Sequence, residues 1–125
     1  MNTQDFIAAY NESRNGVDHF VRHPLVKSFH YSDGVQSLAQ AGCYWLLDML
    51  ATEIRRKDFV AKDEYLCVVS IMVKDGIGII EGKFADDDPA PYRKRVNTDL
   101  PDGEWQLYLS DDGDGVIRCI LPTEY

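Results

Sequence analysis

The apolar and polar positions along this chain change their rhythm once. Before residue 57 the apolar residues mostly recur at three- and four-residue steps. Beyond residue 62 they alternate, or run together in short blocks bounded by turn residues. The first rhythm is helical and the second is that of strands. Residues 3–11 predict a short helix, with Thr3 as a possible cap and Phe6, Ile7 and Tyr10 on one side. Asn15-Gly16 ends it. A second short helix is predicted over 16–22, where Val17, Phe20 and Val21 share a side. Pro24 stops it, because a proline pushes the preceding residue, His23, out of helical backbone. The longest pattern predicts one helix from about Gly34 to Arg56. Ser32 or Asp33 is a natural cap, and Asp33 with Gln36 resembles a capping box. Val35, Leu38, Ala39, Gly42, Leu46, Met49 and Leu50 make its apolar stripe. Arg55, Arg56 and Lys57 suit its negative end. Gly42 costs such a helix about 1 kcal/mol against alanine, which implies a close neighbour there.

The strand region begins with "YLCVVSIMV", 65–73, apolar on both faces and hence a central strand. Asp75-Gly76 is a hairpin turn, and residues 77–84 return. Residues 85–91, "ADDDPAP", are a loop. Residues 92–97 form an edge strand whose Arg93, Lys94 and Arg95 discourage further pairing. Residues 104–110 alternate, with Trp105, Leu107 and Leu109 on one face, and 116–121 form the last strand. Helices followed by strands with short connections predict an α+β fold. One long central helix, about 34–56, would pack on an antiparallel meander of four or five strands, with short N-terminal helices. The expected organisation is a single domain over residues 1–125.

Within the long helix, "GCYWLLDML" places one carboxylate in an apolar run. At roughly 100° per residue, Asp48 falls on a narrow polar strip with Ser37, Tyr44 and Arg55. Thr52 is four residues on and within reach of its side chain. If the N-terminal segment covers this strip, Asp48 needs a donor. His23, His30, Arg22 and Arg55 are the candidates.

Composition narrows the functional classes. The chain has 125 residues, 45% hydrophobic and 27% charged, so it can build a core without disulfides or metal. A net charge of -8 argues against nucleic acid and against anionic membrane surfaces. It allows a basic protein partner. Cys43, Cys67 and Cys119 are odd in number, widely spaced and set among apolar residues, which suggests small hydrophobes in a reducing, cytoplasmic setting. The start lacks a signal-peptide pattern and no stretch is apolar enough to span a bilayer.

Chemistry-bearing motifs are sparse. His19 and His23 have helical ligand spacing, but Pro24 disrupts the helix and no third ligand is near. Residues 110–115, "SDDGDG", begin like a calcium loop, yet the twelfth position is Leu121 where a glutamate is needed. No nucleophile elbow, phosphate loop or dinucleotide fingerprint is present. No metal or cofactor is therefore expected.

Several phrases occur in order: "HP" at 23–24, "YSDGVQSLAQAGCYWLLDML" at 31–50, the Asp75-Gly76 turn, "NTDLP" at 97–101, "QLYL" at 106–109 and the ending "LPTEY". Together they resemble the small bacterial, plasmid and phage proteins of domain-of-unknown-function family 6876. The likeness runs from about His23 to Tyr125. Where that family's pattern reads TDG and TDFP, this chain has Ser32 and Leu100. The resemblance transfers no reaction and no catalytic residue. It implies a setting in mobile elements, where small acidic proteins often bind host proteins and some inhibit bacterial defence systems.

Three expectations follow. The first is a non-enzymatic interaction protein of the bacterial cytoplasm that docks on a host or phage protein with a basic surface. Its contacts would be Asp86, Asp87, Asp88, Asp111, Asp112 and Asp114 with an exposed Tyr92, and a homodimer through an edge strand is conceivable. The second is a small hydrolase using His23, Asp33 and Asp48 in one pocket at the helix start. The third is an acidic mimic of nucleic acid, with carboxylates spaced like phosphates.

Overall fold

The computed structural model describes residues 2–12, 19–53, 67–83, 92–111 and 115–125. Its elements in chain order are α1 (Thr3–Asn11), β1 (Phe20–Arg22), β2 (Phe29–Ser32), α2 (Asp33–Gln40), α3 (Tyr44–Glu53), β3 (Cys67–Lys74), β4 (Ile77–Lys83), β5 (Tyr92–Asn97), β6 (Gly103–Asp111) and β7 (Ile117–Ile120). A single 3-10 turn, Pro122–Glu124, follows.

The strands form one seven-stranded sheet in the order β1-β2-β7-β6-β3-β4-β5. This overturns the expected antiparallel meander of four or five strands. The two extra strands come from the first half of the chain. β1 and β2 pair antiparallel, and β2 then runs parallel to β7, with Phe29, His30 and Tyr31 beside Ile117, Arg118 and Cys119. The predicted helix over 16–22 is also corrected: Phe20–Arg22 is strand, and residues 13–18 lie outside the described residues. Ser32 opposite Phe20 and His30 opposite Arg22 give this short segment its ladder.

From β3 onward the expected strands are present. Asp75 at φ 53° and Gly76 at φ 79° have the two left-handed residues of a tight hairpin turn. β5 is the last strand of the described sheet, as its Arg93, Lys94 and Arg95 predict.

The single long helix is two helices. α2 stops at Gln40 and α3 starts at Tyr44; any continuation toward Arg56 lies outside the described residues. The break sits at Gly42, whose φ of 126° belongs to glycine. Gly42 is exposed, so it is there for its backbone and not for a close neighbour. The break turns the Ala41 carbonyl toward α1, where it accepts the Asn2 N–H at 2.8 Å. Gly42→Ala is expected to cost about 1–3 kcal/mol, the strain of a side chain in that region, read by urea denaturation.

The helices share one face of the sheet. Phe6 and Tyr10 of α1 each meet Trp105 edge-on at 5.0 Å, and Glu53 of α3 lies 3.6 Å from Lys94 of β5. The core lies between, built from Phe6, Val35, Leu46, Leu50, Val69, Ile71, Ile80, Leu107 and Leu109. Asn2, not Thr3, caps α1, accepting the Asp5 N–H. No helix among the described residues is long and apolar enough to cross a membrane.

Candidate functional site

β1 ends at Arg22, and the next residue turns inward. His23 is 3% exposed, while Asp48, on α3, has a side chain 63% exposed. Their contact, His23 Nε2 to Asp48 Oδ1, is 2.8 Å. Of the donors expected for Asp48, His23 supplies one. Thr52 instead gives its hydroxyl to the backbone carbonyls of Asp48 and Met49.

The other ring nitrogen settles what His23 does. Nδ1 accepts the N–H groups of both Leu25 and Val26, each at 3.1 Å. Two donors aimed at Nδ1 assign the proton to Nε2, which gives it to Asp48. A catalytic base must offer a lone pair to substrate, and this ring has its lone pair engaged by backbone. His23 is a staple: one nitrogen shapes the 23–29 loop and the other fastens that loop to α3.

Further bonds hold the same loop. His23 N–H donates to the Phe29 carbonyl at 2.9 Å and Phe29 N–H to the Val26 carbonyl at 3.0 Å. Ile117 N–H on β7 donates to the Ser28 carbonyl at 2.8 Å. Val26 is buried beneath the loop. Leu25 is held outward, 82% exposed. Tyr44, also exposed, lies one helical turn before Asp48 on α3. Tyr31 is buried below; burial, then the nearby Tyr44 and Asp48, push its hydroxyl pKa up.

Asp33 is not shown joining the pair. Its Oδ1 accepts the Gly34 N–H at 3.1 Å, and its carbonyl accepts the Ser37 hydroxyl. Asp86, Asp87, Asp88, Asp112 and Asp114 lie outside the described residues, as does the side chain of Asp111. Tyr92, expected on the surface, is buried: it faces Gly82 on β4, which leaves room for the ring. The three cysteines are buried thiols. Desolvation pushes Cys43 and Cys67 up to about 12 and raises Cys119 as well, so none is a ready thiolate. No group of three metal-binding side chains gathers among the described residues.

A second buried polar cluster was not foreseen. Glu124, 3% exposed, sits over the start of α2. Its Oε1 accepts the Ser32 hydroxyl at 2.5 Å and the Leu121 N–H at 2.9 Å. Ser32 Oγ in turn accepts the Val35 N–H, capping α2. Glu124 Oε2 has no hydrogen-bond partner among the described residues. Only its local half was readable: Leu121-Pro122-x-Glu124 carries a proline at the first helical position and a glutamate at the third, whereas nothing local points to Ser32.

A family model matches residues 8–125, nearly the whole chain. The chain belongs to the family of unknown function DUF6876. No curated protein and no solved structure matches it. Four fragments of the phrases that carry the family resemblance meet in two pairs. "HP" and "YWLLD" meet at the His23–Asp48 bond, and "SDGV" meets "LPTEY" at Ser32 and Glu124.

Proposed function

We propose that this protein acts by binding another protein and not by catalysis. Its partner would be a host or phage protein with a basic, partly apolar surface. Its setting would be a phage or mobile element, and inhibition of a bacterial defence system is the role that setting suggests. The observation that carries the reading is the hydrogen-bonded loop over the staple. The best-formed histidine–carboxylate pair among the described residues is consumed in shaping the loop that holds Leu25 out to solvent. An exposed apolar side chain on a loop already held by hydrogen bonds suits a docking surface, because little entropy is lost when it docks. The net charge of -8 would speed the approach of a basic partner.

Capture from a lysate of the native host, then titration of the purified partner, tests this. Leu25→Glu is expected to weaken binding at least about tenfold, because docking would then bury an unpaired charge. It should leave thermal stability within about 0.5 kcal/mol, the range of surface changes. Salt raised to about 0.5 M should also weaken binding, as should neutralising the six aspartates at 86–88, 111, 112 and 114. An affinity indifferent to all three changes overturns the proposal.

A further inference from the structure

The sheet face turned away from the helices carries a row of side chains that is its own complement. Register places Arg95 of β5 beside Ile79 of β4, Ile79 beside Met72 of β3, and Met72 beside Glu104 of β6. The row reads cation, apolar, apolar, anion across four adjacent strands. Neither Arg95 nor Glu104 has an ion-pair partner among the described residues, whereas Arg93 and Lys83 both lie against Glu81, at 3.8 and 3.7 Å. Met72 is 38% exposed in the middle of the row. Depressions of about 380 and 430 Å³ flank it, one toward Val68 and Gln106, the other toward Ile77 and Ile79.

We propose that this face binds a second copy of the chain, face to face, about a twofold axis running along the strands between β3 and β4. Such an axis reverses the row and keeps its height. Arg95 then lies over Glu104 of the second copy, and Ile79 over its Met72, and each contact occurs twice, as an isologous interface requires. Sheets packed this way lie about 10 Å apart with side chains interleaved. Ile77 falls over the Lys74 stem, whose methylenes can cover it. Pairing through the β5 edge is the rival arrangement. Antiparallel self-pairing there would set Arg93, Lys94 and Arg95 against themselves, and like charges directly opposite are destabilising. Four strands of about seven residues span roughly 19 by 23 Å. That is below the roughly 800 Å² per partner of a standard interface, so the dimer is expected to be weak and concentration-dependent.

Sedimentation equilibrium of the full chain over a wide concentration range is the test, with charge exchange as its specific arm. Arg95→Glu alone and Glu104→Arg alone each place like charges together twice, and each should raise the dimer Kd at least about tenfold. The double variant restores both pairs and should return to within about threefold of the parent. Mixing the two single variants should yield a heterodimer tighter than either homodimer, since both of its cross-contacts join opposite charges. A chain that stays monomeric at the highest concentration overturns the proposal. So does a dimer that ignores the single changes, which would place self-association on another surface such as the β5 edge. Single variants that weaken the dimer without rescue in the double variant overturn it as well.

Discussion

Replacing His23 with alanine is expected to cost about 3–4 kcal/mol of folding stability. The change removes the acceptor for the Leu25 and Val26 N–H groups, and a buried donor left unsatisfied costs about 1–3 kcal/mol. It also removes a ring that packs edge-on against Phe29 at 6.1 Å, leaving a cavity. For a chain of this size the melting temperature should fall by roughly 10–15 °C. The two halves of the staple should separate. His23→Asn keeps an oxygen near the place of Nδ1, so the loop bonds survive in part while the reach to Asp48 is lost. It should fall between alanine and the parent. Asp48→Ala removes the other half and should cost about 1 kcal/mol or less, because its carboxylate is mostly in water and exposed pairs contribute little. Urea denaturation of the three variants checks the order. If Asp48→Ala proved the most damaging, the loop would be held from α3 and not from its own backbone.

That ordering bears on function. A histidine that acts as a base and one that shapes a loop respond differently to loss of their carboxylate. Here the carboxylate is the minor partner, and what depends on His23 is the pose of Leu25. In the proposed interaction, His23→Ala should therefore weaken partner binding even at temperatures where the variant remains folded.

Much of the second half of the fold was legible because it is local. Asp75-Gly76 can hardly be anything but a hairpin turn, and it sets the register of β3 on β4. The basic run at 93–95 marks an edge. The first half misled in two physical ways. A three-residue break at 41–43 returns the apolar stripe almost in phase, so Leu38, Leu46 and Leu50 look like one helix although Gly42 divides them. β1 and β2 are only three and four residues long, and β2 is stabilised by a parallel neighbour some ninety positions away. No local pattern encodes that pairing. The site divides in the same way. Periodicity put Asp48 on a polar strip in need of a donor, with His23 among the candidates. Glu124 escaped because its partner Ser32, and with it the start of α2, lies 92 positions away along the chain.

That contact yields a substitution whose sign should depend on its background. A Cβ built on Gly34 would lie 2.6 Å from Glu124 Oε2 and 2.9 Å from Oε1. The carboxylate is the far end of a flexible side chain, but it is not free to yield. It is buried and holds Ser32 and the Leu121 N–H. Gly34→Ala should therefore expel it, losing two charge-assisted bonds for about 2–3 kcal/mol. Glu124→Ala leaves the same donors unpaired, yet it also removes a buried carboxylate with one bare oxygen, and burying such a group is itself costly. Its loss should be smaller, about 1–2 kcal/mol. Once the carboxylate is gone the space over Gly34 is open, and Gly34 has no positive φ to defend. Gly34→Ala on that background should be neutral or stabilise by up to about 1 kcal/mol, the gain of alanine over glycine in a helix. The double variant should then be more stable than Gly34→Ala alone, a coupling of about 2–4 kcal/mol in a double-mutant cycle. Simple additivity would mean that Gly34 is glycine for a reason other than the carboxylate above it.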